Sequence, residues 1–286
     1  MIAAAIPTAQ SSAVTPVTII PPGAESSEEY HRSGAWGSTL VSRFIRSPAL
    51  AHEIISGRWR AASTPAMIFG QRFHTLMDTG GGFEKMYRLA PDLDHRTKEW
   101  KSLVVAAKAE GLELITPDDW EALHRMADSV RANPVAADLL AGAEQEVGFR
   151  MPSPYGAYQI QCRADIVHRW DHLADLKTTD DLDGFQRTVV NHGYHRQAAL
   201  YRFIVRQACG KVLPFSFIAV EKEPPLYRCR VFDLTEEFLT IGWQEVEAAL
   251  VDIGRRYATG DWSEHRDAES VRPPGWLMHR FAAEAA

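Results

Sequence analysis

The sequence predicts an α/β (α+β) domain with a small mixed central sheet flanked by helices. Three observations carry this reading. Helix starts cluster in the first half of the chain, where Ser47-Pro48, Thr64-Pro65, Thr116-Pro117 and Asn133-Pro134 each set a capping residue before a proline at the first helical position. A block of strand-like segments begins near Glu144, with Val147 and Phe149 alternating with more polar neighbours. From about Asp180 to Tyr257 helical and strand-like patterns alternate.

In chain order, residues 1–30 read as a flexible tail. Met1 to Gly23 is mostly Ala, Thr, Ser and Pro and has no basic run ahead of an apolar stretch, which argues against a secretory signal. Residues 31–286 read as one domain, because no repeat and no long Gly/Ser linker interrupts them. The helix after Thr64 carries Met67, Gly70, His74 and Met77 at helical spacing, and the helix after Thr116 puts Trp120, Leu123, Met126, Ala127 and Val130 on one face. Ser153-Pro154-Tyr155-Gly156 has the composition of a β-turn. It joins the strand at Glu144 to a second strand over about 158–168. Arg169-Trp170-Asp171 turns the chain into a third strand, His172 to Thr178. Asp180 and Asp181 open a helix towards Val190, and another helix runs from Tyr194 to Cys209. Strands near 212–220 and 227–232 follow, and Thr235 caps a long helix ending near Tyr257.

The 286 residues suffice for a sizeable core, and 45% hydrophobic with 24% charged residues is ordinary for a soluble enzyme. No apolar run approaches the ~20 residues that span a bilayer. The three cysteines, Cys162, Cys209 and Cys229, are odd in number and none forms a C-x-x-C pair, which argues against a disulfide framework, a zinc site or an iron–sulfur cluster and fits a reducing cytoplasm. A net charge of -6 does not advertise nucleic-acid binding, although a local basic groove can coexist with an acidic total.

The informative stretch is Arg163-Ala164-Asp165 followed, after nine residues, by Asp175-Leu176-Lys177-Thr178-Thr179. Alternate residues of a strand share a face, so Asp175 and Lys177 point one way and Leu176 the other. A hairpin at Arg169–Asp171 brings Asp165 beside Asp175. Two carboxylates and a lysine at the end of a sheet are what phosphodiester hydrolysis asks for. Carboxylates hold Mg²⁺, the cation acidifies a water and neutralises phosphate charge, and a lysine beside it positions that water. Asp165 and Asp175 are the candidate ligands, helped by the carbonyl of Leu176, and Lys177 is the candidate catalytic group. D-x-K by itself is a short and common pattern.

The neighbours add to it. Glu144 and Glu146 lie on the preceding strand. A hairpin centred on Pro154-Tyr155 sets Glu144 opposite Asp165, whereas a one-residue slip or bulge moves Glu146 towards that place, and the pattern leaves the choice open. Gln197 and Tyr201 share one helix face at i and i+4, able to reach DNA or the catalytic hairpin. His74 sits one turn after Gly70, where glycine permits a backbone or a substrate to come close.

These residues resemble the RecE-type (exonuclease VIII-like) phage and prophage exonucleases of the PD-(D/E)xK superfamily, over about 34–276. The likeness is carried by Ser47-Pro48-Ala49, the run from Thr64 to His74, the run from Asp94 to Lys101 with the helix after Thr116, the two acidic motifs, and Gly193 to Tyr201. The resemblance implies a restriction-endonuclease-like core. It implies His74, Asp165 and Asp175 as metal ligands, Lys177 as the catalytic lysine, and Gln197 and Tyr201 on a helix that supports the site and contacts DNA. The family's strand glutamate falls on Glu144 or Glu146, with its spacing to Asp165 favouring Glu146. The implied activity is an exodeoxyribonuclease that degrades linear duplex DNA from an end, 5′ to 3′, leaving 3′ single strands for an annealing protein in phage recombination. Mg²⁺ is the implied cofactor, with Mn²⁺ a substitute because imidazole suits softer metals. A ring-shaped homo-oligomer is implied too. Arg96, Lys98, Lys101, Arg163 and Arg196 are available for phosphates. Rival expectations are a structure-specific single-strand or flap nuclease, an inactive DNA-binding relative, and a metal-binding structural protein.

Overall fold

The computed structural model describes residues 16–264 except 79 and 95, together with 272–275 and 278. In chain order these form β1 (Thr18–Ile20), α1 (Ser27–Arg32), α2 (Ser38–Arg46), α3 (Pro48–Ile55), α4 (Pro65–Met77), α5 (Phe83–Met86), β2 (Tyr87–Leu89), α6 (Lys98–Ala109), β3 (Glu113–Ile115), α7 (Pro117–Ala132) and α8 (Pro134–Leu140). Then come β4 (Ala143–Pro152), β5 (Gln159–His168), β6 (His172–Thr179), α9 (Phe185–His192), α10 (Tyr194–Cys209), β7 (Phe215–Glu221), β8 (Cys229–Asp233) and α11 (Glu236–Thr259). All four predicted caps form: Ser47, Thr64, Thr116 and Asn133 each accept backbone N–H groups of the turn they open.

Six strands make one mixed sheet in the order β1-β4-β5-β6-β7-β8. β4, β5 and β6 form antiparallel pairs, β6 and β7 run parallel with α9 and α10 as their connection, and β8 closes the edge antiparallel to β7. β2 and β3 pair separately as a parallel two-stranded sheet. One face of the main sheet packs through Phe149, Leu173, Phe217 and Ala219 against residues of α2, α9, α10 and α11. The other packs through Ile166, Ala174, Leu176, Ile218 and Val220 against α4, α7 and α8. Every residue of β7 is buried, as a strand covered on both faces must be. α11 crosses α10 at very close range, since a Cβ on Gly242 would lie 2.3 Å from the backbone oxygen of His195.

One expectation is corrected and one is met only in part. The flexible tail over residues 1–30 does not hold for its second part: Ile19 pairs with Phe149 and Ile20 with Gly148 along the β4 edge, and α1 starts on a Ser26–Glu29 capping box. β4 would otherwise present an unpaired edge, and Gly148 leaves the space Ile20 fills, since a Cβ there would lie 3.0 Å from the Ile20 Cβ. Residues 1–15 lie outside the described residues. Gly70 faces β6, but a Cβ there would meet Thr178 Oγ1 at 3.7 Å, an ordinary contact, so packing within the chain does not require glycine.

Candidate metal centre and catalytic hairpin

The β5–β6 hairpin turns through Arg169, Trp170 and Asp171: Arg169 and Trp170 adopt positive φ (48° and 55°), and the Asp171 N–H donates to the His168 carbonyl at 3.0 Å. The ladder runs from His168↔His172 to Ile166↔Ala174. At the next position a side chain takes over from the backbone: Asp165 Oδ2 accepts the Leu176 N–H at 3.0 Å. The two strands fork there, and the fork holds the acidic residues apart.

Asp165 stands with two other ligand-bearing side chains. His74 Nδ1, from α4, lies 3.3 Å from Asp165 Oδ2. Glu146, from β4, completes a set of three whose ligand atoms all lie within 4.8 Å of one another. The β4–β5 register places Glu146 across from Asp165, between the pairs Gln145↔Ile166 and Val147↔Ala164. The hairpin is therefore centred on Tyr155–Gly156, one residue later than symmetry about Pro154-Tyr155 predicts. Glu144 pairs with Val167, and its carboxylate accepts from Trp170 Nε1 at 2.6 Å, away from the cluster. Glu146 itself adopts φ 55°, a left-handed conformation rare for a non-glycine residue. It marks where β4 changes facing: Gln145 donates to Met77 O of α4, while Val147 lies in the core on the α10 side.

Asp175 belongs to a second, more enclosed group. It is 1% exposed; one oxygen pairs with Lys177 Nζ and the other accepts from Gln197 Nε2 of α10 at 2.6 Å. Lys177 lies 4.7 Å from the Tyr194 ring centroid and 5.7 Å from that of Phe217. Leu176 points the other way into the α4 side of the core. Asp175 is not among the three residues of that set, and its two oxygens accept from Lys177 and Gln197.

The remaining expected residues divide. Tyr201 is 7% exposed and packs against Phe215, so its ring supports the sheet beneath the site. Arg196 turns to α11, with Nη1 2.7 Å from Glu245. Arg163 pairs with Glu146 at 2.8 Å. Arg96, Lys98 and Lys101 are exposed around the start of α6, and His95 and Trp276 lie outside the described residues. Asp78 escaped the sequence reading. It lines the same cleft as His74, Glu146 and Asp165, and its spacing four residues after His74 was the available signal.

A model of one protein family, the PDDEXK-like domain of unknown function (DUF3799), matches residues 37–272. The chain belongs to this family. The structure of a protein described as a "putative exonuclease" from Eubacterium rectale is similar to the PDDEXK-like domain with a TM-score of 0.59 at 18% identity, covering 90% of this chain and 98% of that one. At that identity the likeness is one of fold. No curated protein matches the chain.

The electrostatics of the PDDEXK-like domain follow from crowding acidic groups in a half-closed fork. Burial, then the neighbouring Asp165, pushes the Glu146 carboxyl up to about 7, against the lowering pull of Arg163. Burial and Asp165 likewise raise Asp175 to about 6, although Lys177 opposes them. Burial pulls the Lys177 ammonium down, but Asp175 and Asp165 outweigh it and hold the pKa above the usual lysine value. Such a site disfavours its own negative charge and gains by attracting a cation. One imidazole and two carboxylates within 4.8 Å are a donor set that fits a divalent ion. No helix among the described residues is long and apolar enough to cross a membrane.

Proposed function

We propose that this PDDEXK-like domain is a divalent-metal-dependent nuclease, a hydrolase of DNA phosphodiesters. The observation that carries the reading is the convergence of His74, Glu146 and Asp165 beside a lysine held charged by Asp175. His74, Glu146 and Asp165 would hold the cation, and Asp165 is fixed for this by the Leu176 N–H. The bound cation supplies Lewis-acid polarisation of the phosphate and an acidified water. Lys177 Nζ, positively charged and 13% exposed, donates to the attacking water or to a non-bridging phosphate oxygen. Gln197 and Tyr194 hold Asp175 and Lys177 in register with the cluster, so the ammonium keeps its position as the phosphate arrives. Protonated Glu146 cannot ligate, so metal loading requires loss of that proton.

The finer reading is an exodeoxyribonuclease of the RecE type. It degrades linear duplex DNA from an end, 5′ to 3′, and leaves 3′ strands for an annealing partner in phage recombination. It works with Mg²⁺, or Mn²⁺ in its place, as a cytoplasmic ring-shaped homo-oligomer. The support is the set of motifs from Thr64 to Tyr201 described above, whose order and spacing resemble those of that group.

End-labelled linear duplex DNA and a covalently closed circle of the same sequence, incubated in Mg²⁺ and in EDTA, test both levels. Metal-dependent loss of the linear form alone, with the 5′ label released first, is the expected outcome. Cleavage of both forms replaces the exonuclease by an endonuclease, and cleavage of neither by folded protein removes the nuclease reading.

A further inference from the structure

Each acidic residue of the fork has a partner, and for two of these residues the partners belong to the machinery already described. Asp165 is held by His74 and the Leu176 N–H, and Asp175 by Lys177 and Gln197. Glu146 is held by Arg163, Nε to Oε2 at 2.8 Å. Among the described residues no other arginine pairs with His74, Glu146 or Asp165. The pair is partly exposed, Arg163 to 25% and Glu146 to 31%, so solvent and small ions can reach it.

We propose that Arg163 and the divalent cation are alternative partners of Glu146, and that Arg163, released from this carboxylate, grips a phosphate of the bound DNA strand. The inference rests on the nuclease reading of the same site. The Glu146 ligand atom lies within 4.8 Å of those of His74 and Asp165, so a cation drawn to the three competes with the guanidinium for one carboxylate. Like charges at a few ångströms repel strongly in a partly dehydrated cleft. Arg163 does not depend on Glu146 for its position. Its guanidinium lies 5.0 Å from the Tyr30 ring centroid, and Nη2 is 3.5 Å from Ser27 Oγ. A guanidinium held over the ring and released from the carboxylate offers its planar fork to the oxygens of a phosphate. Tyr30 and Ser27 belong to α1, which follows the β1 strand paired to the β4 edge. Metal loading and DNA grip are then coupled: the cation frees the arginine that holds the strand.

The test separates the two halves. Calorimetric titration of the metal-free protein with Mn²⁺ alone should show Arg163→Gln binding about tenfold more tightly than the parent, because a competing positive charge is gone. Equal or weaker binding by folded variant overturns the exchange. DNA grip is read by fluorescence anisotropy on a short duplex in a Lys177→Gln background, which keeps the DNA intact. That parent should gain affinity on adding Mg²⁺. Arg163→Gln should remove about fivefold or more of this gain while leaving affinity in EDTA unchanged. Arg163→Lys should restore part of it, and Tyr30→Leu should lower the gain without changing Mn²⁺ affinity. Loss of DNA affinity by the same factor in EDTA and Mg²⁺, or no loss, overturns the phosphate role. Melting curves confirm that each variant is folded. If the wild-type protein digests no DNA with any cation, the nuclease reading fails, and the Mn²⁺ titration still decides the exchange on its own.

Discussion

Asp165 and Asp175 occupy facing strands of one hairpin, yet their surroundings differ in kind. Asp175 is sealed at 1% exposure, and both its oxygens are taken by Lys177 and Gln197. Asp165 keeps company with a half-exposed histidine and glutamate whose ligand atoms face one another with no ammonium among them. The difference arises at the fork: beyond Ile166↔Ala174 the Leu176 N–H turns to the Asp165 carboxylate. One half of the site is thus saturated and rigid, suited to holding a lysine in place. The other is electrostatically frustrated and suited to receiving a cation.

Breaking the sealed half should have the largest effect. Lys177→Ala removes the charged donor and should lower single-turnover cleavage by about a thousandfold. It should also lower stability by ~3–5 kcal/mol, because Asp175 stays buried without its partner. Thermal or urea denaturation reads that loss, and an unchanged melt would mean that the pair contributes nothing to the fold. In the open half, Asp165→Asn and Glu146→Gln should weaken Mn²⁺ or Mg²⁺ binding by at least about tenfold without the thermal loss expected of the sealed half. Equal thermal losses from both halves would erase the contrast.

pH sharpens the comparison because Glu146 is raised to about 7. Below that pH it carries a proton that the cation must displace, so apparent metal affinity should fall about tenfold per pH unit as pH drops below about 7. The sign for stability is opposite. A carboxyl whose folded pKa exceeds its unfolded value favours the fold where it is protonated. The metal-free protein should therefore lose stability as pH rises from about 4.5 to about 7, and the cation should restore it. Calorimetry at several pH values, with buffers of different ionisation enthalpy, counts the displaced proton. A smaller effect is expected from Gln197→Leu. The Asp175 Oδ1 loses its donor, at a cost of ~1–3 kcal/mol in stability, with metal affinity nearly unchanged.

The two halves were not equally legible in the sequence. The sealed half is local: Asp175 and Lys177 share a strand face by period two, and Gln197 lies on the helix that returns over that face. The helix caps were legible for the same reason, since each involves a residue and the turn beginning at it. The open half depends on long-range register. His74, Glu146 and Asp165 come from three elements, and composition says nothing of how β4 slides against β5. β1 was hidden in a Ser-, Thr- and Pro-rich stretch, because its strand is only three residues long and is fixed by the β4 edge it meets. The surroundings of Tyr201 and Arg196 were not legible, because helical spacing gives a face without saying what covers it. α11 supplies Glu245 to Arg196, and the sheet covers Tyr201.

The smallest expected effect tests that register most directly. Glu144 and Glu146 are two residues apart on one strand, of the same chemistry, and were equally eligible from the pattern. The pairing with β5 turns on one residue in the hairpin, since a centre at Pro154-Tyr155 selects Glu144 and a centre at Tyr155–Gly156 selects Glu146. Glu146 then sits at φ 55° between two regular pairs, a strained position of the kind that accumulates where a side chain must be aimed. Glu144 is left with its hydrogen bond to the Trp170 indole on the exposed end of the strand. Glu144→Gln should therefore keep metal affinity and cleavage within about twofold of the parent and change stability by no more than ~0.5 kcal/mol, as for an ordinary surface substitution. A loss comparable to that of Glu146→Gln in the same Mn²⁺ titration would mean that the strand is in the other register when the cation binds, with the boundary between the two halves shifted along β4.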